Sequence, residues 1–283
     1  PFEVYAFSNT YAGTMRSKID AASTEAEIRR FMGNSFSRNA GELDIQSKFT
    51  LLNFFSSRMS SRDITRMGKA LYAAAHAMRG WRSDSALREF SLSSTPLVEA
   101  LITMQSVIPN FIKAYKLHRT NFIVLTDGEA NTGADRVYMG DETHHAAGRF
   151  DGYGVQGIYE SAITRKVYRL DKICKYYSYK YDRQVTLLIR LLRDDYNVNT
   201  IGIFLDNESR GKSVKRKHIE KYLGWHNYNR EAHAKVRLGV KKNGFATIKE
   251  LAGYNEYYIV PTGSTIIEDG RIGEVDADIT KGK

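Results

Sequence analysis

The chain has 283 residues, of which 42% are apolar, and a formal net charge of +10, enough to bury a core in one domain with large insertions or in two. No run approaches the roughly 18 to 20 consecutive apolar residues of a membrane span. The single cysteine, Cys174, excludes an internal disulfide framework and a multi-cysteine zinc site, and makes a reducing, cytoplasmic setting the expectation.

Pro1 opens the chain without a signal-peptide pattern, which predicts a start inside a longer protein. Phe2 to Phe7 alternates weakly and runs into Ser8-Asn9, as a strand entering a loop does. Residues 9–50 are polar, with at most a short helix near Thr24–Met32. Ile64, Met67, Leu71, Ala75 and Met78 recur at helical spacing behind Ser61 as N-cap. A second helix is expected to start at Pro96 with Thr95 as its cap. Its stripe is Leu97, Leu101, Met104, Ile108 and Ile112, and Pro109 should kink or end it.

Asn121 to Leu125 is a short, continuously apolar run closed by Thr126-Asp127-Gly128, which reads as a buried parallel strand. Ile163, Val167, Leu170, Cys174 and Tyr177 predict one long helix, and Val185, Leu188, Leu192 and Tyr196 another. Thr200 to Leu205 is a second buried strand ending at Asp206-Asn207. Two basic helices then precede a last strand at Tyr257–Val260. Strands alternating with amphipathic helices predict an α/β fold around a doubly wound, mostly parallel sheet.

The positive charge is local. Residues 208–242 hold 11 Lys and Arg against Glu208, Glu220 and Glu231, a net of +8, which leaves +2 for all the rest. Such a segment suggests one local acidic contact, whether with a partner protein, a nucleic acid or nothing at all. Since Leu205 ends a strand, the segment should be a helical insertion on the carboxyl-edge side, with Ile219 and Leu223 facing the domain.

In doubly wound sheets, ligands sit beyond the carboxyl ends of the strands. Asp127 falls there, in Leu125-Thr126-Asp127-Gly128-Glu129-Ala130-Asn131, and Thr95 opens a helix in Ser93-Ser94-Thr95-Pro96-Leu97-Val98-Glu99-Ala100-Leu101. A carboxylate and a hydroxyl form a hard oxygen pair suited to Mg²⁺. Singly, Thr before Pro is an ordinary cap and Asp-Gly an ordinary turn. Their order and spacing, with a helix and a strand between them, join the two.

Thr-Pro-Leu-x-x-Ala-Leu followed by Leu-Thr-Asp-Gly-x-x-Asn resembles two loops of the metal-ion-dependent adhesion site of von Willebrand factor A domains. It is most similar to the cobaltochelatase-type A domains and their relatives in tailed-phage proteins. The resemblance implies a Rossmann-like A domain over residues 1–265, with insertions at about 9–60, 129–182 and 208–243, and a tail at 266–283 that continues in the parent protein. It implies Mg²⁺ as the ion, with Thr95 ligating it directly or through water and Asp127 through a water. It makes Phe2–Phe7 the second strand and puts the first strand upstream of residue 1, with the defining Asp-x-Ser-x-Ser loop, which no segment of this chain matches. The implied function is non-enzymatic. An acidic protein partner would complete the metal shell, and a ring-forming AAA+ ATPase is the natural partner, in the host cytoplasm if the chain is phage-encoded.

Other motifs carry less. Gly152 to Gly157 matches a dinucleotide glycine pattern without a preceding apolar strand. Gly211-Lys212-Ser213 lacks the first glycine of a phosphate loop, and Asp206 stands there instead. His144-His145 are adjacent and do not converge as His-x-x-x-His pairs do. Cys174 lies on an apolar stripe, as a packing residue does, and Tyr176 to Tyr181 reads as a helix face with flanks rather than a base-stacking platform. A peptidase is disfavoured because neither His-Glu-x-x-His nor Gly-x-Ser-x-Gly occurs. The remaining alternative is a virion structural or nucleic-acid-binding protein that uses residues 208–242.

Overall fold

The computed structural model describes residues 1–9, 49–78, 95–127, 130, 158–169, 180–206 and 230–261. In chain order these form β1 (Glu3–Asn9), β2 (Phe49–Ser56), α1 (Ser61–Met78), α2 (Leu97–Tyr115), β3 (Asn121–Thr126), β4 (Ile158–Glu160), β5 (Val167–Arg169), α3 (Lys180–Tyr196), β6 (Asn199–Asp206), α4 (Arg230–Asn243), β7 (Ala246–Lys249), a short 3₁₀ turn (Leu251–Gly253) and β8 (Glu256–Pro261). This is a mixed α/β structure in two compact units. One holds β1, β2, α1, α2, β4, β5 and the first half of α3; the other holds β3, the rest of α3, β6, α4, β7 and β8.

In the first unit, the expected strand at residues 2–7 forms, and its partner is β2, a strand within the stretch 9–60 expected as an insertion. The two pair antiparallel, from Glu3 opposite Ser56 to Asn9 opposite Phe49, with a bulge at Val4/Tyr5. Glu3 anchors the open end. Its side chain, only 7% exposed, accepts hydrogen bonds from Ser56 Oγ at 2.8 Å and Asn53 Nδ2 at 2.7 Å. Arg58 lies 3.4 Å from the same carboxylate, and its Nε donates to the Tyr115 hydroxyl at 3.0 Å, tying the strand pair to the end of α2.

The cap of α1 is Ser60 rather than Ser61. Ser60 Oγ accepts from the Asp63 amide at 3.2 Å and donates to the Asp63 carboxylate at 2.7 Å. Along α2, Leu97, Leu101, Met104 and Ile108 are buried as the stripe predicts. The helix begins one residue later than expected, with Pro96 at the cap position and Thr95 just outside it. It also runs through Pro109 to Tyr115 instead of ending there. The proline removes one bond, to the Gln105 carbonyl, while the buried stripe before it and the Phe111–Tyr115 ring contact after it, at 5.0 Å, hold both halves. Lys116, at φ 51°, then ends the helix, and Leu117 N–H closes on the Ile112 carbonyl at 3.1 Å.

The helix expected from Ile163 to Tyr177 is corrected at its start. Residues 158–169 form an antiparallel pair, Ile158 opposite Arg169 to Glu160 opposite Val167. The turn decides it: Ser161 Oγ accepts from the amides of Ile163 and Thr164 at 3.1 and 2.9 Å, and Arg165 takes a left-handed φ of 58°. Leu170, Cys174 and Tyr177 lie outside the described residues. The next helix is as predicted: α3 buries Val185, Leu188 and Leu192, and also Gln184, Thr186, Leu187, Ile189 and Leu191.

The second unit carries a sheet of order β3-β6-β8-β7. The three apolar runs make its parallel part, with Thr126 beside Phe204 and Phe204 beside Ile259. β7, unforeseen in the sequence, adds an antiparallel edge, Ala246 opposite Ile259. One face of the sheet is the core: Val124, Thr200, Gly202, Phe204, Asp206, Tyr257, Ile259 and Ala246 are buried. The other face is half-open, and Ile123 and Leu125 on β3 are 56% and 57% exposed. The expectation of a strand buried on both faces therefore holds for neither side chain, because β3 pairs only with β6 among the described residues.

Two tyrosines close the core face. Their rings lie 5.5 Å apart, and Tyr257 stands opposite Gly202 across the strands. Burial holds the Tyr254 hydroxyl well above its ordinary value of about 10, with Tyr257 adding to the shift. A folded-state value above the unfolded one adds stability that is complete below the unfolded value and lost as pH rises past it. The denaturation midpoint should therefore hold up to about pH 10 and fall beyond it, and Tyr254→Phe should shallow that fall. An alkaline decline of equal steepness in the variant would exclude Tyr254 as a source.

Candidate functional site

β3, β6 and β8 run parallel, so their carboxyl ends share one edge. Asp127 follows β3 directly and is exposed. From the register, Asp127 comes level with Leu205, and Asp206 stands one position further along the neighbouring strand. Asp206 is fully buried, on the core side with Thr200, Gly202 and Phe204. A buried carboxylate is costly unless polar partners compensate it. In the sequence Asp206 marks the end of a strand and stands in place of a phosphate-loop glycine, neither of which makes it a site residue. The signal was there, because an apolar strand ending on Asp is the same pattern that singled out Asp127.

Thr95 belongs to the first unit and Asp127 to the second. Thr95 is half-buried, and the amide of Leu97 donates to its carbonyl at 2.8 Å. One turn into the helix sits Glu99, which is fully buried, with the Thr103 hydroxyl donating to its backbone carbonyl at 2.9 Å. A carboxylate in the first turn is favoured by the helix dipole. Nothing in Leu97-Val98-Glu99-Ala100 announced the burial, since Glu at that position is ordinarily solvated.

Of the basic segment, residues 230–242 are described and form most of α4. Lys235, Arg237, Lys241 and Lys242 are exposed. Lys235 pairs with Glu231 at 2.8 Å, which holds the Glu231 carboxyl below its ordinary value and raises the Lys235 ammonium. Α4 ends at Asn243, three residues before Ala246, which stands in the same row as Ile259, Phe204 and Thr126. The helix thus ends toward the carboxyl edge with Lys241 and Lys242 in its last turn, while residues 208–229 of the basic stretch lie outside the described residues. Ile219, Leu223, the Gly211-Lys212-Ser213 segment, His144-His145, Gly152–Gly157 and the tail at 266–283 lie outside the described residues.

Among the described residues no group of three or more His, Cys, Asp and Glu is placed to hold a metal ion, and no helix is long and apolar enough to cross a membrane. No family model, curated protein or solved structure matches the chain.

Proposed function

We propose that the chain is a metal-ion-dependent interaction module of the von Willebrand factor A type, acting in the cytoplasm on an acidic protein partner, with a ring-forming AAA+ ATPase as the natural one. The observation that carries this reading is Asp127, an exposed carboxylate immediately beyond a strand whose neighbour β6 runs parallel to it. The donors fit Mg²⁺ in kind, since Asp127 offers a carboxylate and Thr95 a hydroxyl, both hard oxygen ligands. They do not fill an octahedral shell, which leaves room for water and for a partner's carboxylate. When bound, the ion supplies a Lewis-acidic centre for that carboxylate. Asp127 would hold it through a water and Thr95 directly or through one. This is recognition chemistry, and it asks for no nucleophile or general base.

The metal alone tests the reading. Mn²⁺, which shares the oxygen preference of Mg²⁺ and broadens nearby resonances, should broaden the amides of Thr126 and Asp127. Saturation is expected only at roughly millimolar metal, because the Asp-x-Ser-x-Ser loop is missing from this chain. Asp127→Asn should abolish the broadening with a stability change within about 0.5 kcal/mol, as at other exposed positions. Broadening that survives the substitution would remove Asp127 from the site.

A second reading, a nucleic-acid-binding or virion structural protein, is favoured by the exposed cations of α4. It requires affinity for DNA that falls steeply with salt.

A further inference from the structure

Helix α4 has two faces of opposite character. Its inner face carries His233, Val236 and Val240, exposed by 7%, 6% and 0%. Gly239 lies beside the start of β7, where a Cβ would make only ordinary contacts, with the Phe245 carbonyl oxygen at 3.4 Å and Ala246 Cα at 3.5 Å. Burial of His233, Val236 and Val240 defines the inner face and leaves the opposite face to solvent. That face holds Lys235, Leu238, Lys241 and Lys242, and Arg237, four positions after His233, is exposed at the flank of the inner face. Leu238 is 64% exposed, and Lys235, Lys241 and Lys242 are its neighbours three and four positions away along the helix.

The helix dipole favours Lys241 and Lys242 in the last turn, but it accounts for neither Lys235 nor Arg237, which lie further back. Glu231 is the one acid of α4, and it is already bonded to Lys235. No carboxylate among the described residues pairs with Arg237, Lys241 or Lys242. Charge complementarity therefore favours an occupant that brings negative charge. The occupant must also cover an apolar side chain enclosed by cations. Phosphates of a duplex would meet the cations but leave Leu238 dehydrated without an apolar partner. A segment that alternates acids with leucine-like residues meets both requirements, by charge pairing around a small apolar anchor.

We propose that the outer face of α4 is a docking surface for an acidic, amphipathic segment of a partner protein. The segment lies along the helix, and one of its ends reaches the carboxyl edge through Lys241 and Lys242. This contact needs no metal and stands without the metal-dependent reading.

Fluorescence anisotropy on the full chain tests it with three labelled probes: a short peptide with leucines at helical spacing between glutamates, a polyglutamate of equal charge, and a short DNA duplex. The leucine-bearing peptide should bind roughly tenfold or more tighter than polyglutamate, with affinity falling as salt is added. Arg237→Glu combined with Lys241→Glu should weaken it by a similar factor. Leu238→Ser should bring it down to the polyglutamate level, and its exposed position leaves the melting temperature unchanged. EDTA should change nothing, whereas the Mn²⁺ broadening at Asp127 is unaffected by these variants; failure of one reading therefore does not mimic failure of the other. Equal binding of the two peptides, absence of binding, or duplex binding that is as tight and is lost in the same variants would each overturn the proposal.

Discussion

Gly202→Val is expected to destabilise the protein by about 3 kcal/mol, the upper range for overfilling a packed core. A Cβ on residue 202 would come within 2.5 Å of Tyr257 Cδ2, 2.8 Å of its Cε2 and 3.2 Å of Tyr254 Cδ2. Both rings are trapped, at 6% and 3% exposure, so neither can swing into solvent to make room. The strands would have to part instead, and β6 is central, bonded to β3 on one side and β8 on the other. Urea unfolding measures the loss. Tyr257→Leu should make a β-carbon at 202 better tolerated, so the double variant should lose less than the sum of the singles. A Gly202→Val protein as stable as the parent would mean that the aromatic lid over the glycine is not how this core packs.

Asn255→Leu is expected to remove about 2 to 3 kcal/mol through one polar knot at the amino end of the sheet. Asn255 Oδ1 accepts from the Thr200 amide and the Thr200 hydroxyl, both at 2.9 Å. The Asn255 amide donates in return to Thr200 Oγ1 at 3.1 Å and to the Thr200 carbonyl at 2.9 Å. Thr200 is fully buried, so leucine at 255, which keeps the backbone N–H, still leaves the Thr200 amide and hydroxyl proton without their acceptor. Asn255→Asp keeps the accepting oxygen and should recover part of the loss. Equal damage from Asp and Leu would show that shape, and not hydrogen bonding, matters there. Because Ile201 pairs with Glu256, the knot lies at the opposite end from Asp127. Metal-dependent broadening at Asp127 should therefore survive in whatever fraction remains folded.

Legible in the sequence are the strongly periodic elements and the two strand ends that lie at the carboxyl edge. The runs at 121–125, 200–205 and 257–260 become the parallel ladder, and the stripes from Leu97 and Val185 become α2 and α3. Periodicity is a local property, so it is legible without knowing what packs where. Asp127 and Asp206 could be read as strand ends for the same reason. Partners and burial are non-local, and tertiary structure alone decided them. Phe2–Phe7 gave no sign that its mate would be Phe49–Ser56, some 40 residues on and antiparallel. Ile163 and Val167 sit four apart as helical neighbours do, yet the Ser161 hydroxyl bonds the next turn and a hairpin wins. Pro109 is tolerated beside the buried stripe that precedes it and the Phe111–Tyr115 ring contact that follows, which no propensity encodes. Apolar content likewise predicted β3 as buried, while its place in the sheet leaves Ile123 and Leu125 more than half exposed. Glu99 went the other way, an ordinary solvated residue by type that packing encloses completely. Side-chain chemistry sets which faces a segment offers, and only the assembled chain sets which of those faces meets water.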